Sequence, residues 1–106
     1  MNEISTEAEA EALIVGSGPS WILKHSSTCG ISAAAYEEVE GFLAGRPMPI
    51  GVVVVQQARP LSNWLAGRLK RVHQSPQLFL MVSGEVRWSA SHYGITRQAM
   101  EKALAG

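Results

Sequence analysis

A single cysteine, Cys29, stands in a chain of 106 residues. It permits no internal disulfide and fits a reducing compartment. The formal net charge is zero, so nothing in the charge balance argues for a nucleic-acid partner or an anionic membrane surface. Long apolar runs are also missing. The longest aliphatic stretch, Val52 to Val55, is far too short to span a bilayer. The first residues include Glu3 and show no basic-then-apolar signal region, so a cytoplasmic location is expected. Repeats, low-complexity tracts and interdomain linkers are absent too. The length suits one domain, residues 1–106, with a layered core that needs no metal or disulfide support.

Helix and strand signals alternate along the chain. Thr6 and Glu9 fit a capping box that opens a helix running through Ala12, Leu13 and Ile14, and Gly16-Ser17-Gly18-Pro19 ends it. Trp21 to Lys24 reads as the first strand. From Gly30 to Leu43 the residues Ile31, Ala35, Val39, Phe42 and Leu43 form one apolar stripe, the mark of a half-buried helix. Ile50 to Val55 is nearly all β-branched, as in a parallel strand covered on both faces. Pro60 starts a helix that buries Leu61, Trp64, Leu65 and Leu69 and ends near Lys70-Arg71. Leu78–Val82 and Glu85–Ala90 form a hairpin turning at Ser83-Gly84. Thr96 caps the last helix, with Ile95 and Met100 placed as a hydrophobic staple. The order α-β-α-β-α-β-β-α implies a parallel pair with a right-handed crossover, extended antiparallel by a hairpin. The expected fold is α/β and thioredoxin-like: a four-stranded mixed sheet, helices on both faces and one extra N-terminal helix.

The chemistry centres on Cys29, between a short apolar strand and an amphipathic helix. A helix start leaves backbone N–H groups unpaired and carries partial positive charge. A thiol there is stabilised as thiolate, the nucleophilic form. The alternative reading of Cys29 is a small buried hydrophobe, the commoner case for a lone cysteine. Thr28, Gly30, Ile31 and Ser32 would surround the sulfur with N–H and hydroxyl groups, with plain helix capping the alternative for Thr28 and Ser32. His25, four residues before the cysteine, would lower the thiol pKa further if its imidazolium came close; a solvated turn histidine is the other reading. His25, His73 and His92 follow no zinc spacing, so no metal site is expected.

Three stretches together carry a family resemblance. They are Lys24-His25-Ser26 through Cys29-Gly30-Ile31-Ser32, then Gln56-Gln57-Ala58-Arg59-Pro60-Leu61-Ser62-Asn63, and His73-Gln74-Ser75-Pro76-Gln77. Gly84-Glu85-Val86, Trp88 and Ser91-His92 reinforce the last of them. The pattern resembles the monothiol bacilliredoxins, small bacterial proteins once called general stress proteins and related to the YtxJ proteins. The resemblance implies a thioredoxin-like fold and thiol–disulfide exchange with bacillithiol, the small thiol some bacteria use in place of glutathione. It implies S-bacillithiolated proteins as partners, bacillithiol as co-substrate with no tightly bound cofactor, and a monomer or weak homodimer. By the same resemblance Pro76 would be a cis proline facing Cys29, with Ser75 offering its backbone to the ligand. A trans proline opening an edge strand is the alternative. The anionic malyl group of bacillithiol would need donors, for which Arg59 and the helix start at Thr96 are candidates.

One position departs from the family pattern, which places proline directly after the cysteine; here it is Gly30. That makes Cys29-Gly30-Ile31-Ser32 resemble the C-G-F-S motif of monothiol glutaredoxins, some of which share an iron–sulfur cluster. The Gly-Gly-x-Asp-Asp signature of the glutathione site is replaced by His92-Tyr93-Gly94-Ile95-Thr96. Two alternatives to the oxidoreductase therefore stand: a cluster carrier, and a non-catalytic adaptor whose active turn has decayed. With one cysteine, any mixed disulfide formed must be resolved by a further thiol molecule or a separate reductase.

Overall fold

The computed structural model describes residues 1–106. Two buried layers explain why the central strands lack polar alternation. Successive strand residues point to opposite faces, and here both faces are covered. The first strand of the central pair, β2 (Ser20–His25), sends Trp21 and Leu23 into one cluster and Ile22 into the other. In its parallel neighbour β3 (Ile50–Val54), Val52 and Val54 join the first cluster and Val53 the second. The antiparallel hairpin β4 (Gln77–Val82) and β5 (Glu85–Ser91) completes the sheet beyond β2.

Helices α2 (Gly30–Gly45) and α4 (Arg97–Ala105) close the first face through Ala35, Val39, Phe42 and Met100. Trp21 meets Phe42 and Trp88 edge-on there, with ring centroids 5.6 and 6.1 Å apart, an arrangement that the ring quadrupoles favour. Helices α1 (Glu7–Ile14) and α3 (Arg59–Leu69) close the second face through Ala10, Ile14, Leu61, Leu65 and Leu69. The capping box of α1 is formed, with the Glu9 N–H donating to Thr6 Oγ1 at 3.2 Å and the Thr6 N–H to Glu9 Oε1 at 3.1 Å. Ser83 and Gly84, at φ 53° and 82°, make the hairpin turn with both central residues left-handed.

The sheet has five strands, not four. Asn2–Glu3 forms β1, parallel to β3 at the edge, giving the order β1-β3-β2-β4-β5. Two exposed polar residues carry no hydrophobic period, so the sequence pattern does not reveal this strand. The end of α3 falls where expected. Lys70 adopts left-handed geometry at φ 56° as the C-cap, and Arg71 lies beyond the helix. A short 3-10 turn, His92–Gly94, links β5 to α4.

Candidate active site

Two segments meet at one end of the central strands. β2 ends at His25 and leads through a turn at Ser26–Thr28 into α2, while β4 begins just after Ser75-Pro76. Lys24 pairs with Gln77 across β2 and β4, which brings Ser75-Pro76 to the same sheet end as the turn before Cys29. The Ser75–Pro76 peptide bond is cis. Pro76 is buried, and its carbonyl accepts the His92 N–H at 3.1 Å, tying the end of β5 to this edge. Ser75 pairs with no other backbone group, and its buried Oγ has no hydrogen-bond partner.

Cys29 is the N-cap of α2, in extended geometry at φ −111° and ψ 126°, and it is partly exposed. An N-cap side chain faces the unpaired N–H groups of the first turn. The backbone N–H of Ser32 and then that of Ile31 hold the thiol pKa below its ordinary value, and the Ser32 hydroxyl adds to this against the opposing effect of burial. Ser32 is itself buried, and its Oγ accepts the Ser26 N–H at 3.3 Å, bracing the turn. Thr28 and Gly30 do not act on the thiol in this way. Thr28 is not the cap either, because that position belongs to Cys29.

Thr28 instead belongs to a clamp made by Gln56, a residue of the second resemblance stretch to which the sequence reading assigns no role. Gln56, just beyond β3, donates from Nε2 to Ser26 Oγ at 2.6 Å and to Thr28 Oγ1 at 3.2 Å. Its Oε1 accepts the Ser27 N–H at 3.1 Å. One amide thus satisfies three polar groups of the turn and fixes the approach to Cys29. The available signals were its place in that stretch and as the first polar residue after an apolar strand.

His25 does not serve as a cationic neighbour of the sulfur. Its ring packs on Tyr36 at 4.9 Å between centroids, and Nδ1 is buried without a partner. Burial pushes its pKa down, opposed by the Ser32 backbone and the charge of Glu3, so the neutral form is favoured. No histidine contributes to the shift of Cys29. Thr96 caps α4, accepting the Ala99 N–H at 3.0 Å. The carboxylate of Glu38 accepts the adjacent Arg97 N–H at 2.9 Å. That helix start already has an anion, so the expectation that Thr96 helps hold the malyl group gives way to a capping role. Arg59 is exposed at the first position of α3, where its charge reaches His73.

The family model of the monothiol bacilliredoxin BrxC matches residues 2–100. The chain belongs to that family. A solved structure described as a proposed oxidoreductase with a thioredoxin fold is 36% identical, with a TM-score of 0.92 over 97% of this chain and 92% of that one. Thioredoxin from Fasciola hepatica superposes with a TM-score of 0.80 at 17% identity, over 99% of this chain and 97% of that one. Mitochondrial thioredoxin 3 from Saccharomyces cerevisiae does so with 0.79 at 14% identity, covering 99% and 93% respectively. These two likenesses establish the thioredoxin fold. Family membership and the more similar neighbour support a thiol redox function. No helix is long and apolar enough to cross a membrane.

Proposed function

We propose that this bacilliredoxin-family chain is a monothiol oxidoreductase that removes bacillithiol from mixed disulfides on oxidised proteins through Cys29. The observation that carries the reading is the placement, at one end of the sheet, of a partly exposed thiol held by the first N–H groups of α2 and of the unpaired backbone of Ser75. In the first step the Cys29 thiolate attacks the bacillithiol sulfur of the mixed disulfide. The protein–sulfur bond breaks, the protein thiolate leaves, and Cys29 becomes S-bacillithiolated. In the second step a bacillithiol thiolate attacks the bacillithiol sulfur now on Cys29. This releases bacillithiol disulfide and restores the Cys29 thiolate, so each protein thiol freed consumes one bacillithiol and one disulfide is exchanged for another.

The N–H groups of Ile31 and Ser32 stabilise Cys29 both as attacking and as leaving thiolate. Ser75 offers its unpaired backbone groups to the incoming small thiol. Arg59 is the side chain we assign to the malyl carboxylates. The work would be done in the cytoplasm, by a monomer or weak homodimer.

The test is a de-thiolation assay on a protein carrying a bacillithiol mixed disulfide, with both proteins followed by intact mass. Transfer of the small thiol onto wild type but not onto Cys29→Ser supports the proposal. No transfer from this substrate, nor from a glutathione mixed disulfide, overturns it in favour of cluster binding or an adaptor role.

A further inference from the structure

Three buried polar side chains that the thiol does not use gather beside α3. They are Lys24, Ser62 and Gln77, at 0%, 2% and 6% exposure. Lys24 and Gln77 are directly opposed across β2 and β4, so their side chains leave the sheet side by side on one face. Both serve the segment that leads into Ser75-Pro76. Lys24 Nζ donates to the Ser62 carbonyl at 2.9 Å and to His73 Nδ1 at 3.1 Å. The Ser62 hydroxyl lies 3.3 Å from the same ring nitrogen. Gln77 accepts the Gln74 N–H and donates to the Val72 carbonyl, each at 3.1 Å.

Burying an ammonium is costly unless its donors are used. A methionine would fill much the same volume without that cost. What lysine supplies is a donor aimed at α3 and at the loop before Ser75.

We propose that Lys24 is a positioning residue: it latches the segment carrying Ser75-Pro76 to α3 through His73, and protonation of His73 opens the latch. The proposal rests on the reading of Cys29 as the attacking thiol and adds a control on the edge that receives the small thiol. An ammonium can only donate, so Nδ1 of His73 must present a lone pair, leaving the proton on Nε2. Protonating Nδ1 turns that acceptor into a donor and sets an imidazolium against the ammonium. The charged groups acting on His73 are Lys24 from β2 and Arg59 from α3, both positive; the Ser62 hydroxyl is its neutral neighbour. Partial desolvation of its ring where it meets Lys24 and Ser62, then these two charges, hold its pKa below the ordinary value, although the residue as a whole is exposed. The latch is therefore closed at neutral pH and opens on acidification.

The test compares wild type with His73→Gln, which keeps an acceptor but cannot be protonated, and with Lys24→Met. Transfer from a bacillithiol mixed disulfide is divided by the iodoacetamide alkylation rate of Cys29 at the same pH, which cancels the thiolate fraction. The Gln74 and Ser75 amides and the His73 ring are followed by NMR over the same range. In wild type this ratio should fall about fivefold on acidification, the effect of losing roughly one hydrogen bond, as the loop amides shift with His73. In His73→Gln it should stay flat, and in Lys24→Met it should be low throughout while alkylation is unchanged. If Lys24→Met does not fold, His73→Gln decides, since its site is exposed. A wild-type ratio that stays flat while His73 titrates overturns the latch, as do loop amides that ignore it. Absence of transfer in wild type would sink the oxidoreductase reading instead. The amide titration then decides the latch alone: shifts that follow His73 uphold it, and shifts that do not overturn it.

Discussion

The carboxylate of Glu38 on α2 accepts the backbone N–H of Arg97 at 2.9 Å, so one helix supplies the anion for the N-terminus of another. Together with the Thr96 cap, this makes the start of α4 a structural joint between the two helices of one face. Thr96→Ala should lower stability by about 1 kcal/mol, the usual effect of losing a cap. The apparent affinity for a bacillithiol mixed disulfide should not change. Denaturant unfolding and the concentration dependence of transfer read the two effects separately, and weakened affinity without loss of stability would return Thr96 to the binding site.

Cys29 should alkylate with a midpoint below about 8.5, the value of a free thiol, because the Ser32 and Ile31 N–H groups favour the thiolate. The same shift affects stability. With the folded pKa depressed, the folded chain releases this proton before the unfolded chain does. Stability from this group is present above the unfolded pKa and is lost as pH falls through the folded one. Unfolding of wild type and Cys29→Ser across this range should show the difference, and an alkylation midpoint at the free-thiol value would contradict it.

Lys24 gives a second pH signature, further into the alkaline range. Burial pushes its amine down to about 8, against about 10.4 in an unfolded chain. Between these values the unfolded chain holds a proton that the folded chain has released, so stability rises with pH. The contribution of Cys29 has the same sign, so the measurement belongs in a Cys29→Ser background. There the rise should persist and should vanish on adding Lys24→Met. A rise of equal size with methionine at this position would mean that Lys24 titrates normally.

The apolar framework was legible because packing and periodicity coincide. Ala35, Val39 and Phe42 fall on the stripe that reaches the core, with Leu43 at its rim and Ile31 half-buried outside it, and the β-branched β3 is covered on both faces. The cis bond before Pro76 and the activated thiol follow the family resemblance and the helix start. What stayed hidden depends on long-range geometry. A lysine at a strand end reads as solvated, yet Lys24 is wholly buried because Ser62 and His73, distant in sequence, converge on it. Gln56 belongs to a resemblance stretch, yet its role shows only when the fold brings Ser26, Ser27 and Thr28 to it. His25 shows the converse: its proximity in sequence suggested a cation, and burial against Tyr36 favours the neutral ring.

Gly30 occupies the first helical position after Cys29, and nothing lies within 4 Å of where its Cβ would be. Its φ is not in the left-handed region, so neither space nor backbone geometry requires glycine. The first helical N–H has no intrahelical acceptor, so a proline there would forfeit no helical bond and its ring would match the helix start. Cys29 already has the extended geometry that proline imposes on the preceding residue. Gly30→Pro should therefore stabilise the fold by about 0.4–1 kcal/mol, through the smaller entropy of the unfolded chain. In a chain of this size that corresponds to a rise of roughly 2–8 °C in Tm. The acidity of Cys29 should hardly change, since the N–H groups of Ile31 and Ser32 remain in place. Calorimetry and the alkylation profile test the two halves independently. A lower Tm would show that glycine meets a requirement of the folded turn, while a large shift in thiol acidity would implicate the Gly30 N–H in holding the thiolate.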